Sequence, residues 1–348
     1  MSIPDTMIAI AISTPGAPEV LQPVTTAVPE CADDQVLIRV AAAGVNGPDL
    51  AQRAGNYDPP PGASPLPGLE VAGEIVAVGG DVAGLEVGDR VMALTNGGGY
   101  AEYVAVPHGQ VLPVPEGWSF AEAAALPETW FTVTQTLVMR AGLLPGMTVL
   151  AHGAAGGIGG AAVQIATFLG ARAIGVVSSP EKAAYAHELG AAAVIDTSRE
   201  NLAERVMALT ENLGVDRIVD LVGGDMAALN VKISARNGHI VQVSTLGGGT
   251  ASVPLRAIMA KGLTLSGSTL RPQTSATKAA IADRIRTDLL PRLAEGRLPR
   301  PRITRFPLAV AAEAHRHMES RTHIGKLVLE TAFGLEAQAT GKGPLTRA

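Results

Sequence analysis

A strand that runs directly into a glycine-rich turn and then into a helix is the feature that most restricts how this chain can fold. Residues 148–152, with Val149, Leu150 and Ala151 at their centre, suit a buried strand, and small and apolar residues suit a helix from Ile158 onward. The turn consists of Ala154, Ala155, Gly156, Gly157, Ile158 and Gly159. Small residues let the backbone approach a pyrophosphate, and a helix N-terminus offers free N–H groups and positive dipole charge. The segment therefore predicts a dinucleotide-binding turn rather than an incidental tight turn.

The residues after this turn alternate between short apolar strands and helices. The pattern predicts helices over 158–169 and 181–189 and strands over 148–152, 172–177, 193–195, 217–220, 239–243 and 263–268. Apolar strands that are joined by helical crossovers indicate a parallel, doubly wound sheet. The fold class predicted for this part of the chain is therefore α/β, of the Rossmann type.

The first third of the chain differs from this pattern because it is rich in proline and glycine. Its short apolar runs, such as 36–40, 74–78 and 90–94, predict a β-rich, barrel-like lobe. After residue 270 the pattern predicts helices over 277–293 and 309–318 and a strand over 326–330, which we expect to return to the first lobe. The predicted domains are a β-rich domain (1–125 and 271–335), a Rossmann domain (126–270) and a loose tail (336–348).

Length, charge and cysteine content exclude several classes of protein. A chain of 348 residues is too long for one core, and its net charge of −5 argues against a nucleic-acid binder. The single cysteine, Cys31, excludes a disulfide within the chain and predicts the reducing cytoplasm. Residues 141–171 contain no charged side chain, but their eight glycines predict a buried strand–turn–helix rather than a membrane span.

The end of the second Rossmann strand indicates which dinucleotide is bound. NAD sites usually place an acidic residue there, whereas this chain has Ser178, Ser179 and Lys182. The lysine can reach a 2′-phosphate and the serines can donate to it, so the sequence predicts NADPH. Ser179 before Pro180 also fits a helix N-cap, and both interpretations can hold together.

Metal ligands are scarce in the sequence. One cysteine cannot form a cysteine-rich structural zinc site or a Cys/His catalytic site. His315 and His317 are two residues apart on a predicted helix and therefore point to different faces. We predict no bound metal, and catalysis that depends on the cofactor's hydride chemistry.

Several sequence motifs outside the glycine-rich turn are similar to motifs of a known protein family. They lie at residues 41–49, 57–62, 67–73, 127–132, 267–271 and 324–330. With the glycine-rich turn, they make the chain similar to the medium-chain dehydrogenase/reductase superfamily from about residue 7 to residue 330. The resemblance is strongest to its zeta-crystallin-type quinone oxidoreductase branch. Residues 57–62 and 127–130 are similar to the stress-inducible quinone reductase subgroup.

The resemblance implies a GroES-like lobe, a Rossmann lobe and a cleft between them that holds the nicotinamide. It also implies the loss of zinc, since zinc-dependent relatives have a cysteine near residues 44–46 and Gly-His-Glu at 68–70. This chain has Asn46 and Gly68-Leu69-Glu70 at those places. Relatives often carry a tyrosine against the adenine-ribose phosphate, where this chain has Thr197, which can donate a hydrogen bond but cannot stack.

The site residues follow from the turn, the second strand and the resemblance together. Expected at the reacting end are Asn46, Tyr57 and Thr132, with Tyr57 either donating a proton or only packing against its prolines. Asp49 is expected to fix its loop rather than act as a base, and water is an alternative proton source. The expected cofactor-binding residues are Asn46, Thr132, Ala155, Gly156, Gly157, Ile158, Gly159, Ser178, Ser179, Lys182, Thr197, Val222, Ser244, Leu246, Ser268, Thr269, Leu270 and Lys326.

The predicted function is reduction of quinones by NADPH without a metal. Two alternatives remain open, namely reduction of activated C=C bonds in enones or enals, and an NADPH-binding structural or sensor protein without turnover. The expected partner is a small-molecule substrate, with no nucleic acid and no membrane. A homodimer is also predicted, because the last Rossmann strand would otherwise leave an exposed apolar edge.

Overall fold

The computed structural model describes residues 2–296 and 298–339. Its strands are β1 (Thr6–Ile12), β2 (Leu21–Ala27), β3 (Gln35–Val45), β4 (Glu70–Val78), β5 (Arg90–Leu94), β6 (Tyr103–Pro107), β7 (Val111–Pro113), β8 (Thr148–His152), β9 (Arg172–Val177), β10 (Ala193–Asp196), β11 (Val215–Asp220), β12 (Ser234–Gln242), β13 (Thr264–Gly267), β14 (Ile303–Pro307) and β15 (Lys326–Glu330). Its α-helices are α1 (Gly47–Arg53), α2 (Phe120–Ala123), α3 (Pro127–Val133), α4 (Gly157–Phe168), α5 (Pro180–Glu188), α6 (Leu202–Leu209), α7 (Met226–Ile233), α8 (Leu255–Lys261), α9 (Ser275–Asp288), α10 (Leu290–Ala294), α11 (Ala311–Glu319) and α12 (Ala332–Ala339). None of the helices in these two ranges has the length and apolar character of a membrane span.

The chain divides into two compact units. The first contains the described residues up to Phe131 and from Arg271 onward, and the second contains Thr132–Leu270. The division falls inside α3, which continues as a π-helix over Thr134–Arg140. Helix α12 includes residues 336–339 of the predicted loose tail, and residues 340–348 lie outside the described residues.

The second unit is built on a six-stranded parallel sheet in the order β10-β9-β8-β11-β12-β13. The strand order reverses at β8, so the carboxyl ends of the central strands β8 and β11 mark a topological switch point. The predicted doubly wound sheet is confirmed, and β8 and β9 have the predicted bounds. Strands β11 and β12 begin earlier than predicted because polar residues at their starts interrupt the apolar pattern.

The core of the second unit follows from this alternation of strands and helices. Both faces of the sheet are covered, so Leu150, Ile174 and Ile218 in neighbouring strands are almost fully buried. Val206 and Val231, from two of the helices, pack into the same cluster. Burial on both faces explains why these strands are continuously apolar rather than alternating.

The first unit carries a seven-stranded sheet, which confirms the predicted β-rich lobe. Its main path runs β14-β15-β3-β4-β5-β7, and β6 also pairs with β3. Strand β15 lies antiparallel to β3 and parallel to β14, so the end of the chain returns to this sheet as predicted. The hairpin β1–β2 was not predicted, although Pro15-Gly16 supplies a turn signal between its two strands.

Candidate active site

The glycine-rich turn lies at the carboxyl end of β8, where it leads into α4. Gly156 is the N-cap of this twelve-residue helix, has extended backbone angles (φ −101°, ψ −172°), and offers no side chain to the helix N–H groups. No acidic residue occupies the first turn. Because uncapped N–H groups attract anions, this helix end fits the pyrophosphate of a dinucleotide.

Gly159 allows α4 to begin this close to β8. A Cβ atom at Gly159 would lie 2.3 Å from the carbonyl oxygen of Gly153 and 2.4 Å from that of His152. Both neighbours are backbone atoms, which cannot move aside as a flexible side chain can. The close approach of helix and strand therefore requires glycine at this position.

The other cofactor residues expected in the second unit come together at the same edge of the sheet. Because parallel strands end on one side, the loops that follow β9 to β13 all leave the sheet there. These loops carry Ser178, Ser179, Thr197, Val222, Ser244, Leu246, Ser268, Thr269 and Leu270, and Lys182 lies in the first turn of α5, which follows β9. Thr132 begins the second unit and is buried, and Ser268 donates to the side chain of Gln135 (2.8 Å).

The residues that follow β9 include the N-cap of α5, Ser179, and a positively charged side chain, Lys182. Ser179 caps α5 by accepting from the backbone of Lys182 (3.3 Å), and the Lys182 Nζ lies 3.4 Å from the Ser178 hydroxyl. Thr197 donates its hydroxyl to the Val177 carbonyl (3.0 Å), so that hydroxyl serves the backbone. Sequence reasoning missed a second cation in this region, Arg199. The pKa of Glu181 is lowered mainly by hydrogen bonds to the backbone and to Ser179, and to a smaller extent by the charge of Arg199.

The buried ammonium group of Lys326 holds together several polar groups in the interior of the first unit. It donates to the side chains of Asn46 (2.5 Å) and Glu70 (2.6 Å) and to the Val45 carbonyl (3.2 Å). Asn46 in turn donates to Glu70 (2.8 Å). Lys326 was expected in the cofactor pocket; in this structure its ammonium bonds to these three partners and fixes the orientation of the Asn46 amide.

Asp49 fixes the loop that carries Asn46. Its buried carboxylate accepts from the backbone of Asn46 (2.8 Å) and of Gly68 (3.0 Å), which joins α1 to the start of β4. Burial raises the pKa of Asp49 to about 6, against the opposing effect of these hydrogen bonds. This arrangement agrees with the positioning role that was predicted for Asp49.

Asp49 is also part of a buried chain of hydrogen bonds that includes Tyr100, His315 and Arg53. Sequence reasoning did not find this chain. The Tyr100 hydroxyl lies 3.4 Å from the Asp49 carboxylate and 3.1 Å from the His315 Nε2. Arg53 donates to the His315 Nδ1 (3.4 Å) and pairs with Glu319, so the His315 Nε2 carries the proton. Burial, and secondarily Arg53, lowers the pKa of His315 to about 3, which keeps the ring neutral.

Tyr57 lies beside a second group of buried cations in the first unit. The Arg271 guanidinium is 5.5 Å from the centroid of its ring, and it donates to Gln52 (2.8 Å) and to the Asn96 carbonyl. The fully buried Lys278 bonds to the side chain of Asn96 and to the Arg271 carbonyl. Burial lowers the pKa of Lys278 to about 8.

Glu128, at the start of α3, is the carboxyl group that sequence reasoning overlooked. Its backbone donates to Glu70 (2.8 Å), and the residue is only 8% exposed. Burial, reinforced by repulsion from Glu70 and Asp49, raises its pKa to about 8. A carboxylic acid that stays protonated at neutral pH can donate a hydrogen bond or a proton.

The donor groups of the first unit do not suit a zinc ion. Within residues 2–296 and 298–339, no three His, Cys, Asp or Glu side chains lie close enough together to hold a metal. The oxygens of Asn46 and Glu70 already surround the Lys326 ammonium, and Leu69 is apolar and buried.

Comparison with known families agrees with both units. Residues 32–116 match the alcohol dehydrogenase GroES-like domain, and residues 157–284 match the zinc-binding dehydrogenase family. A quinone oxidoreductase of Pseudomonas aeruginosa is 36% identical over 318 residues, which cover 90% of this chain and 96% of that protein.

Two solved structures are similar over almost the whole chain. Escherichia coli quinone oxidoreductase complexed with NADPH has a TM-score of 0.80 at 30% identity, and the match covers 93% of this chain and 99% of that one. The CurK enoyl reductase has a TM-score of 0.82 at 27% identity and covers 94% of this chain and 100% of its own.

Proposed function

Because the chain belongs to the medium-chain dehydrogenase/reductase family and has quinone oxidoreductases among its homologues, we propose that it reduces quinones with NADPH. The observation that carries this proposal is the uncapped, glycine-lined N-terminus of α4 at the carboxyl edge of the parallel sheet. A reducing compartment, the cytoplasm, suits a chain whose single cysteine is Cys31.

The second unit supplies the groups that hold the cofactor. The N–H groups of Gly157, Ile158 and Gly159 would bind the pyrophosphate, and Lys182, with Arg199 as a second cation, would neutralise the 2′-phosphate. NADPH supplies a hydride, that is, a proton with two electrons. The chain's own contribution is to fix the position of the cofactor and to exclude water from it.

The first unit supplies the groups that meet the reacting atoms. Asn46 presents an amide whose orientation is fixed by Lys326 and Glu70, and Asp49 holds its backbone. Tyr57 presents a half-buried phenol beside Arg271. No step needs a Lewis acid, since a quinone accepts hydride directly and the Lys326 ammonium occupies the polar centre.

Steady-state assays with different acceptors test the proposed reaction. We expect NADPH oxidation with 1,2-naphthoquinone to be faster than with 2-alkenals. Brisk turnover of enals with no quinone activity would instead favour C=C reduction, the second candidate, which the similarity to CurK enoyl reductase supports. Tight NADPH binding in calorimetry without oxidation by any acceptor would favour a non-enzymatic role.

Substitution of Lys182 tests the preference for NADPH. We expect Lys182→Ala to lower kcat/KM for NADPH by about tenfold, because it removes a charge-assisted contact worth about 1.5–3 kcal/mol. The value for NADH should stay about the same, since NADH lacks the 2′-phosphate. Lys232→Ala, at an exposed lysine of the same unit, is the matched control. Equal losses with both cofactors would refute the assignment.

The edge strand β13 supports a homodimer. It ends the six-stranded sheet, and apolar side chains nearby are exposed, with Leu265 42%, Leu255 69% and Met259 80% accessible. Exposed apolar sheet edges tend to pair with another chain. We therefore propose that a second copy of the chain covers this edge.

A lysine on this edge tests the dimer. Leu265→Lys should give the monomer mass in light scattering at micromolar concentration, while the wild type gives the dimer mass, because pairing would bury an uncompensated charge. Leu213→Lys changes an equally apolar side chain that is 75% exposed elsewhere in the unit and should leave the dimer intact. A monomeric wild type would contradict the proposal.

A further inference from the structure

The Glu128 side chain combines deep burial with an absence of hydrogen-bond partners. Its backbone N–H is fixed by Glu70, but its carboxyl group receives no hydrogen bond from the part of the chain that the structure describes. With 8% of the residue accessible, the group is shielded from bulk water without being sealed off. A purely structural buried carboxyl would normally be satisfied by hydrogen bonds, so this one is available to a bound molecule.

Charges from four elements of the first unit act on this carboxyl group. Glu70 on β4 and Asp49 on α1 repel its ionised form, while Lys326 on β15 and Lys278 on α9 attract it. Arg271 and Tyr57 also lie within electrostatic range of it. The carboxyl group is therefore electrostatically coupled to the phenol of Tyr57 and to the buried cations Arg271 and Lys278.

We propose that Glu128 is the catalytic acid that protonates the reduced acceptor, an oxygen-bearing molecule such as a quinone or an enone. The proposal rests on the proposed function and deepens it, because it names the proton source that sequence reasoning assigned to Tyr57 or to water. Its basis is the buried carboxyl group without a hydrogen-bond partner, which follows a backbone held by Glu70 and lies within electrostatic range of Tyr57, Arg271 and Lys278.

The proton transfer balances the hydride transfer. Bound NADPH would supply a hydride, with its two electrons, and the oxygen of the reduced acceptor would then carry the negative charge. The O–H bond of Glu128 breaks, the proton forms a new O–H bond on that oxygen, and the electron pair remains on the carboxylate. Lys278 and Arg271 stabilise the carboxylate until water returns a proton to it.

The acidities of the two candidates favour Glu128 over Tyr57. Burial raises the pKa of Tyr57 above its ordinary value of 10, so the phenol keeps its proton and orients the acceptor. Glu128, with a pKa of about 8, is protonated at neutral pH and is the stronger acid. A general acid works best when its pKa lies near the operating pH.

The proton on Glu128 also has a consequence for stability that does not depend on activity. The folded state keeps this proton up to about pH 8, whereas the unfolded chain releases it near the ordinary value of 4.5. The free energy of unfolding should therefore fall as pH rises between these values and level off above about pH 8. Glu128→Gln removes this contribution, so the variant should gain stability relative to the wild type from pH 6 to pH 9.

The experiment compares the wild type, Glu128→Gln, Glu128→Asp and the control Glu116→Gln, which removes an exposed carboxylate. We expect kcat for 1,2-naphthoquinone to fall about a hundredfold in Glu128→Gln and to recover in part in Glu128→Asp. The wild-type kcat should decline above about pH 8, and the Gln variant should lack this decline. Since Lys278 titrates in the same range, the variant is needed to assign the profile.

Infrared spectroscopy supplies a readout that does not require turnover. The band of a protonated carboxyl group should disappear near pH 8 in the wild type and be missing in Glu128→Gln. An ionised Glu128 at pH 6, or a variant with the wild-type kcat and pH profile, would overturn this proposal alone. A wild type that reduces no acceptor would overturn the proposed function and this inference with it.

Discussion

Replacing Gly159 by alanine is expected to abolish tight NADPH binding. The added methyl group would lie 2.3 Å from the Gly153 carbonyl oxygen, so α4 must move away from β8. Overpacking of this kind costs about 1–3 kcal/mol. The same movement would displace the N–H groups that we propose to bind the pyrophosphate, so we expect NADPH affinity to fall by about ten- to a hundredfold in calorimetry.

Gly249→Ala is the matched control for this prediction. A Cβ at Gly249 meets no atom within 4 Å, and the residue does not have a positive φ. This variant should bind NADPH like the wild type, and circular dichroism should show that both variants are folded. Unchanged affinity in Gly159→Ala would mean that the pyrophosphate does not bind at the start of α4.

Replacing Lys326 by methionine is expected to destabilise the first unit by about 3–5 kcal/mol, the usual cost of leaving a buried charge without its partner. Glu70 would remain fully buried, with hydrogen bonds from Asn46 and the Glu128 backbone but without a positive charge. Both tryptophans of the chain, Trp118 and Trp130, are buried in this unit. Their fluorescence in urea therefore reports its unfolding directly.

A second substitution distinguishes lost charge balance from lost packing. In the double variant Lys326→Met with Glu70→Gln, the uncompensated charge is removed while an acceptor remains for Asn46. We expect this variant to recover at least part of the urea midpoint lost in Lys326→Met alone. A double variant that unfolds as early as the single one would show that the ion pair is not what stabilises this interior.

The sequence predicted the second unit well because its constraints are local. The glycine-rich turn, the apolar strands and the helix signals lie close together in the chain, and β8 and β9 begin and end where expected. The residues expected to bind the cofactor in that unit reach one edge of the sheet through parallel topology alone. The π-helix Thr134–Arg140 was not predicted, because its amino acids are typical of an ordinary helix.

The sequence predicted the interior of the first unit less completely, because its contacts join distant residues. Lys326 meets Asn46 and Glu70 across 280 and 256 positions, a distance along the chain at which no spacing rule applies. Resemblance drew attention to Lys326, but only the structure shows that its ammonium is committed to those two side chains. Glu128 was passed over as part of a motif, because an acidic residue in the first turn of a helix is common.

Single-turnover kinetics test the central claim most directly. The metal-stripped protein would be mixed with equimolar NADPH and 1,2-naphthoquinone while the dihydronicotinamide absorbance is followed. We predict complete oxidation of the NADPH, at a rate that neither a chelator nor added zinc changes. An absorbance that stays constant, or a reaction that begins only when zinc is added, would contradict the account.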